Sequence, residues 1–344
     1  EYPAAQGGGQ LHGVDAQASA GPGHHHGLAG SDLGGPLNRL QGHPHGAGEK
    51  GRGVQVQGIG HGHQAKFGDD DVLGEAAVPA VADAFAVPAA VLPALAAALG
   101  ALLLQVGANL ANDVFDFEKG ADTDSRLGPP RVTQLGWLSA AAVRRGAAVV
   151  FGTALLPGVY LAWVGSWPIV AVGVASIAAG LAYTGGPYPL GYHGLGDAAV
   201  FLFFGVVAVC GSYWVQAQAL PVEVIATSCL LGALATVPLA VNNLRDVATD
   251  APAGKRTLAV RLGPRGARAE IFLLLAAAYA GCALLPGIAI APPAALLPLA
   301  SLPLALRFVR RVRRAEGAAL NPLVAESAQL ALVFALLLAA GWLA

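Results

Sequence analysis

Two segments of the chain carry amide and carboxylate side chains at the spacing of one helical turn. Asn112 and Asp116 are four residues apart, and so are Asn242 and Asp246. Residues at this spacing share one face of a helix, so each segment presents its oxygen atoms together. Such oxygen atoms suit Mg²⁺, which binds a few protein ligands together with phosphate oxygens. Two such faces opposite each other predict a site that holds a diphosphate through metal ions.

Further acids extend both segments. Asp113 lies three residues before Asp116, and Asp250 follows Asp246 by another helical turn if the helix continues that far. Both clusters fall where an apolar run ends, and a carboxylate at the edge of lipid is costly enough to suggest a function. We therefore predict that these acids bind metal together with the two asparagines.

Basic residues follow each acidic segment. Arg131 follows the first segment, and Lys255 and Arg256 follow the second. Their charges match those of a phosphate group directly, so we predict that they stabilise the diphosphate. A simpler interpretation, solvated ion pairs at helix ends, is preferred for four other acids. These are Glu118, Asp124, Glu270 and Glu316.

The segment 183–197 is rich in glycine, proline and tyrosine, which predicts a constrained turn. Tyr183, Tyr188 and Tyr192 give it aromatic rings and hydroxyl groups. Two interpretations remain open: rings that cover an aromatic substrate, or a tight turn with tyrosines at the membrane interface. Asp197 at the end of the segment is suited to cap the following helix.

The composition is that of a membrane protein. Hydrophobic residues make up 55% of the 344 residues and charged residues only 12%, against a charged share of about 25% in soluble domains. This excludes an ordinary soluble enzyme, a disordered chain and a basic nucleic-acid-binding protein. Eight apolar runs approach the length of a membrane-spanning helix, which predicts an all-α, multi-spanning bundle. The runs are 87–111, 146–164, 168–184, 198–215, 222–241, 271–285, 288–306 and 323–344.

The basic residues predict the orientation of this bundle. After residue 84 there are sixteen Lys or Arg residues: five in 112–145, six in 242–270 and five in 307–322. With alternating helices, these three loops and the neutral loop 185–197 fall on the same side of the membrane. The positive-inside rule assigns that side to the cytoplasm.

Residues 1–84 differ from the remainder. Eight of the nine histidines lie between His12 and His63 among many glycines, and no hydrophobic periodicity is present. This composition predicts disorder or a mis-called reading frame, and scattered histidines predict only incidental metal binding. We therefore divide the chain into a low-complexity segment, 1–84, and a transmembrane domain, 85–344.

Four motifs resemble those of the UbiA superfamily of intramembrane aromatic prenyltransferases. They are NLANDVFDFEKGADT at 109–123, RLGPPR at 126–131, YTGGPYPLGYHGLGD at 183–197 and NNLRDVATDAPAGKRTLAVRLG at 242–263. The resemblance covers about residues 87–344. It is closest to the branch that prenylates 1,4-dihydroxy-2-naphthoate in menaquinone synthesis.

The resemblance implies a bundle of about nine helices around a cavity that opens to lipid. It implies that the acidic segments bind Mg²⁺ and a polyprenyl diphosphate. The prenyl group would pass to 1,4-dihydroxy-2-naphthoate with loss of CO₂ and diphosphate, giving a demethylmenaquinone. Such a protein is expected in the lipid bilayer of the cell membrane, with its active-site loops in the cytoplasm and with no nucleic-acid partner.

Carried over to this sequence, the resemblance implies three sets of site residues. The predicted catalytic residues are Asp116, Asp246, Lys255, Arg256 and Arg131. The predicted substrate-binding residues are Asn109, Arg126, Tyr183, Tyr188, Tyr192 and Arg245. The predicted metal ligands are Asn112, Asp113, Asp116, Asp122, Asn242, Asp246 and Asp250, with Asp122 as the acid nearest to Gly120, where the superfamily often has an aspartate.

Three alternatives remain at the level of sequence. The acceptor could instead be 4-hydroxybenzoate, a homogentisate or haem. The first helix of the family is not recognisable in 1–84, so the chain could be an inactive fragment. A transporter is less favoured, because its acids would lie at mid-helix, whereas these lie at helix ends.

Overall fold

The computed structural model describes residues 91–122 and 126–344, and within these ranges the chain is helical with no β-strand. The all-α prediction is therefore confirmed for this part of the chain. The predictions made for segment 1–84, for the domain boundary at residue 85 and for Asp124 lie outside the described residues.

Each of the eight predicted apolar runs overlaps one helix, and the run 288–306 covers mainly a 3₁₀ segment that precedes its helix. We label the helices α1 Val91–Glu118, α2 Ala140–Gly165, α3 Trp167–Ala182, α4 Gly196–Ala217, α5 Val222–Asp250, α6 Leu258–Gly287, α7 Leu302–Arg314 and α8 Asn321–Leu343. Short 3₁₀ segments cover Leu190–His193, Pro293–Ser301 and Gly317–Leu320. Seven spans of the described chain are long and apolar enough to cross a membrane, and α3 is a shorter apolar helix. The protein is thus a multi-pass membrane protein.

Helix α5 lies at the centre of the bundle. In its most apolar stretch 61% of the residues are buried, against 17–28% in the other six spans. Leu234 and Val237 of α5 pack in one core cluster with Ile271 of α6, Phe308 of α7 and Phe334 of α8. The other helices expose large apolar side chains on their outer faces, as helices solvated by lipid do. The central helix therefore carries the second acidic segment through protein rather than through lipid.

Two glycines bring α4 and α5 into close contact. Within α4, residues Phe201–Val207 form a π-helical segment, and Gly205 in this segment is buried. A Cβ atom at Gly205 would lie 2.2 Å from the Cα of Gly232 in α5. Small residues allow helix backbones to approach in membranes, so this pair sets the distance between the two helices.

The four loops predicted to share one side of the membrane meet at one end of the bundle. The backbone N–H of Arg256 donates to the carbonyl of Tyr192 at 2.9 Å, which joins the loop after α5 to the loop before α4. Asn321 at the start of α8 donates its Nδ2 to the carbonyl of Leu127, also at 2.9 Å. These contacts hold the four loops together over the ends of the two helices that carry the acidic segments.

The contact at Gly205 generates a prediction. Gly205→Ala should destabilise the fold by about 1–3 kcal/mol, because the added methyl group overpacks a backbone contact that cannot yield without moving α4 or α5. Thermal unfolding of the purified protein in detergent measures the loss. The matched control is Gly211→Ala in the same helix, where a Cβ atom meets nothing within 4 Å. Equal unfolding temperatures for the two variants would contradict the prediction.

Candidate active site

Both acidic segments line a single cavity at the loop-covered end of the bundle. The cavity has a volume of about 230 Å³. The side chains from the helices are Asn109, Asn112, Asp116, Leu239, Asn242, Asn243, Asp246, Thr249 and Asp250. The loops contribute Ala121, Arg126, Arg131, Tyr183, Thr184, Gly191, Tyr192, Lys255 and Thr257. Asp116 and Asp246, which the sequence predicted to face each other, therefore border the same space.

Asp116 is the carboxylate that side chains from three of the loops contact. It is buried near the end of α1. Lys255 donates to its Oδ2 at 3.0 Å, and the hydroxyl of Tyr192 donates to its Oδ1 at 2.8 Å. The guanidinium of Arg131 lies 3.4 Å from Oδ2. Three separate loops thus place a donor on one carboxylate.

Tyr192 links this carboxylate to the surrounding cations. Burial, and then the charge of Asp116, raise the pKa of Tyr192 above its ordinary value, so its hydroxyl stays protonated and donates. Lys119 and Lys255 lie 4.8 and 5.1 Å from the centre of its ring, within the range of a cation–π interaction. Tyr192 therefore positions Asp116 and holds two ammonium groups beside the cavity.

Asp246 is held by the residue that precedes it. Arg245 donates its Nε and one terminal nitrogen to the two oxygens of Asp246 at 2.7 and 2.6 Å. The same guanidinium donates to the side-chain oxygens of Asn242 at 2.6 Å and Asn321 at 2.8 Å. Arg245 is buried and does not line the cavity. Its contacts are those of a residue that positions Asp246 and Asn242, whereas the sequence analysis predicted that it binds substrate.

Gly128 provides the space that Arg245 occupies. A Cβ atom at this position would lie 2.6 Å from a terminal nitrogen of Arg245. The RLGPPR motif therefore supplies more than its arginines, because its glycine admits the buried guanidinium from α5. Leu127, beside it, accepts the hydrogen bond from Asn321.

Asn112 is oriented by the loop that follows α3. Its Oδ1 accepts a hydrogen bond from the hydroxyl of Thr184 at 2.8 Å. The ammonium group of Lys119 donates to the backbone carbonyl of Thr184. Both contacts tie the end of α1 to the segment 183–197, so that segment is a constrained turn that also forms one wall of the cavity.

Asp122 lies behind the cavity rather than on its lining. Its side chain is buried and pairs with Arg126, and its Oδ2 is 3.4 Å from Nε of Arg131. Burial raises the pKa of Asp122, and the charges of Arg131 and Arg126 oppose this effect. Asp122 therefore orients two arginines that do line the cavity.

Three other predicted site residues do not line the cavity. Asp113 is buried, and its Oδ1 has no hydrogen-bond partner among the described residues. Tyr188 is exposed and stacks on His193 with 3.7 Å between ring centres. Arg256 is exposed, and its contribution to the site is the backbone hydrogen bond to Tyr192. The remaining predicted residues, apart from Arg245 and Asp122, are all brought to the cavity.

The acids interpreted as solvated ion pairs divide into two groups. Glu118 pairs with Arg144, and Glu316 lies 3.5 Å from Arg268, as predicted. Glu270 instead hydrogen-bonds to the buried Asp197, so that prediction was wrong. The two acids lie on different helices and are distant in sequence, so no local pattern predicts their contact.

Sequence reasoning missed three polar residues that complete the site. Lys119 contacts the ring of Tyr192, and Thr184 hydrogen-bonds to Asn112. Asn321 accepts a hydrogen bond from Arg245. Lys119 and Thr184 lie inside motifs already recognised, and nothing else in the sequence indicated that they belong to the site. Asn321 opens a helix far along the chain, and no local spacing connects it to the second acidic segment.

The donor set fits a metal ion that binds together with a phosphate ligand. Among residues 91–122 and 126–344, no three carboxylate, histidine or cysteine side chains converge closely enough to hold a metal by themselves. Mg²⁺ commonly binds through one or two carboxylates, with phosphate oxygens completing its coordination. Asp116, Asp246 and Asp250 border one cavity and offer ligands of this kind.

The fold and the cavity define a class of protein: a multi-pass membrane protein with a polar site where carboxylates and cations face each other. The family follows from a direct comparison. The UbiA prenyltransferase family matches residues 76–333, about three quarters of the chain, and the chain belongs to this family.

Individual relatives agree with this assignment. The chain is 39% identical over 247 residues to the 1,4-dihydroxy-2-naphthoate octaprenyltransferase of Mycobacterium tuberculosis, covering 72% of this chain and 83% of the relative. It is also 39% identical over 186 residues to the enzyme of that name from Haemophilus influenzae, covering 52% of this chain but only 60% of the relative. A UbiA homolog from Archaeoglobus fulgidus, solved with DMAPP and Mg²⁺, has a similar fold (TM-score 0.50, 16% identity), covering 75% of this chain and 93% of that chain.

The buried pair of Arg245 and Asp246 generates a second prediction. Arg245→Met should lower the free energy of unfolding by roughly 3–5 kcal/mol, because it leaves a largely buried carboxylate without its cation. Thermal unfolding in detergent is the measurement, and Arg256→Met, at an exposed side chain of the same charge, is the control. An unchanged unfolding temperature for Arg245→Met would show that Asp246 does not depend on this pair.

Proposed function

We propose that the chain transfers a polyprenyl group from an allylic diphosphate to 1,4-dihydroxy-2-naphthoate, in a Mg²⁺-dependent reaction that belongs to menaquinone biosynthesis. The observation that carries the proposal is the lining of one cavity by both acidic segments together with three basic side chains. The names of the two curated relatives support the choice of acceptor.

The charges that line the cavity explain why a divalent ion is needed. Asp116, Asp246 and Asp250 face Arg126, Arg131 and Lys255, so acids and bases are equal in number. A diphosphate alone would add several negative charges to a site that has no excess of positive charge. When bound, Mg²⁺ neutralises charge on the diphosphate oxygens and favours their departure as a leaving group. We assign its ligands to the three aspartates, with Asn112 and Asn242 as further oxygen donors.

The basic residues of the chain act on the same leaving group. Lys255 and Arg131 lie on the Asp116 side of the cavity, where they can donate to diphosphate oxygens as the carbon–oxygen bond breaks. Arg126 lines the cavity next to them. These donors are fixed before the substrate arrives, and preorganised donors stabilise developing negative charge without a cost of reorganisation.

Carbon–carbon bond formation completes the reaction. The allylic cation is attacked by the electron-rich naphthoate ring, and a ring proton is lost. The ring carboxylate leaves as CO₂, and its bonding electrons stay on the ring carbon, which takes up a proton. No electrons are removed, so the direct product is the reduced form of a demethylmenaquinone. Tyr183 and Tyr192 line the cavity and provide aromatic surface for the acceptor ring. Exclusion of water by the loops protects the cation from hydrolysis.

We also propose that the loop-covered end faces the cytoplasm of the cell and that the spans lie in the cell membrane. The sixteen basic residues after residue 84 fall in loops or helix ends at this end of the bundle. Basic loops are retained in the cytoplasm during membrane insertion. Mg²⁺ would then reach the cavity from that side, and the released diphosphate would leave to it.

Product mass spectrometry tests the function. Purified full chain in detergent or nanodiscs is supplied with Mg²⁺, a polyprenyl diphosphate and one acceptor. Supplied with 1,4-dihydroxy-2-naphthoate, it should release CO₂ and give the prenylated, decarboxylated product. Chelation of Mg²⁺ should abolish turnover, and added Mg²⁺ should restore it. Turnover with 4-hydroxybenzoate, homogentisate or haem, but not with the naphthoate, would reject the proposed acceptor.

The two aspartates that face each other generate a third prediction. Asp116→Asn and Asp246→Asn should each lower turnover by at least about 100-fold, because the loss of a ligand should exceed the 10–100-fold effect typical of the residues behind it. The assay is the one above at saturating Mg²⁺. Glu118→Gln serves as the control, since Glu118 lies on the same helix and pairs with Arg144 outside the cavity. Wild-type turnover in both aspartate variants would exclude the proposed metal site.

A further inference from the structure

The last turns of α7 carry a dense positive charge that the prenyl transfer site does not use. Five arginines lie within residues 307–314, at the loop-covered end of the helix. Ala305, Phe308 and Val312 are the buried residues of this helix, and all five arginines are exposed. The helix thus presents an arginine face away from the protein core.

Few of these arginines have partners in the described part of the chain. Arg311 pairs with Glu326 of α8, and Arg313 lies over the ring of Phe272. No ion pair within the described residues involves Arg307, Arg310 or Arg314. The arginine face therefore has positive charge left to attract an anion.

A cleft between α7 and α8 lies beneath two of these arginines. Its volume is about 450 Å³, and it shares no residue with the prenyl transfer cavity. Its polar residues are Arg307, Arg311, Glu326 and Gln329. Its apolar residues are Leu304, Phe308, Pro322, Ala325, Leu330 and Val333.

The cleft changes from charged to apolar along its length. Helix α7 runs towards the loops, so Arg311 lies nearer to the loop end than Leu304 does. Helix α8 runs away from them, so Leu330 and Val333 lie deeper than Glu326. From Glu326 to Val333 the axial distance is about 10 Å at 1.5 Å per residue. A ligand that fills the cleft therefore needs an anionic group at the loop end and an apolar chain below it.

We propose that this cleft is a binding site for an anionic glycerophospholipid of the membrane leaflet at the loop-covered end. The phosphate of the lipid lies at Arg307 and Arg311, and an acyl chain follows the apolar walls of α7 and α8. Arginine suits a phosphate because its planar guanidinium can donate two hydrogen bonds to it. Basic pockets between spanning helices are known to bind lipid head groups. Two arginines against Glu326 leave the cleft with net positive charge, which favours an anionic over a zwitterionic lipid.

Native mass spectrometry of the full chain in neutral detergent tests the site. The protein is titrated separately with phosphatidylglycerol and with phosphatidylcholine of the same acyl chains. We expect one phosphatidylglycerol to be retained at least about tenfold more tightly than phosphatidylcholine. Arg307→Gln/Arg311→Gln should remove at least about tenfold of that affinity, from the loss of two cations near a lipid phosphate. The matched control is Arg310→Gln/Arg314→Gln, which removes the same charge at the same spacing but outside the cleft.

Three results would overturn the proposal. The first is equal retention of the two lipids by the wild-type chain. The second is an equal loss of affinity in the control variant, which would mean that the charge of the helix and not the cleft attracts the lipid. The third is displacement of the lipid by millimolar inorganic phosphate, which would identify an anion site without lipid specificity. If the double variant does not stay folded, Arg307→Gln alone repeats the test at an exposed side chain, with Arg307→Lys as its conservative counterpart.

Discussion

The carboxylate of Asp116 is the point on which the active-site end of the bundle depends. It is buried at the end of α1, and a buried carboxylate is stable only when charge and hydrogen bonds compensate it. Its partners, Arg131, Tyr192 and Lys255, come from three different loops. Compensation of this one charge therefore holds the three loops over the cavity.

In the second acidic segment, the carboxylate of Asp246 is compensated in a different way. Asp246 obtains its cation from Arg245, the neighbouring residue on the same helix. Because that guanidinium also binds Asn242 and Asn321, the pair is fixed by two helices rather than by loops. The cavity thus has one wall held by loops and one wall held by the rigid centre of the bundle.

Much of this arrangement could be predicted from the sequence, because helices in lipid leave a clear signal. Seven of the eight described helices correspond to apolar runs, and α7 overlaps its run only at 302–306. The helical spacing placed Asn242, Asp246 and Asp250 on a helix that does extend to Asp250. What could not be predicted concerns partners distant in sequence. Nothing in the local pattern shows that Arg245 faces Asn321, or that Asp197 meets Glu270. Such contacts depend on how helices pack, and a motif specifies which residue types are present but not which neighbour each one faces.

The two acidic segments also differ in when their charges are compensated as the chain is made. Asp246 follows its cation by one residue, so it is paired as soon as it is synthesised. Asp116 precedes its partners Arg131, Tyr192 and Lys255 by 15, 76 and 139 residues. Because the chain is synthesised from its N-terminus, α1 is made before any of the residues that compensate the acid at its end. The last of these partners, Lys255, belongs to the loop after the central helix, so the charge of Asp116 is fully compensated only after that helix has been made.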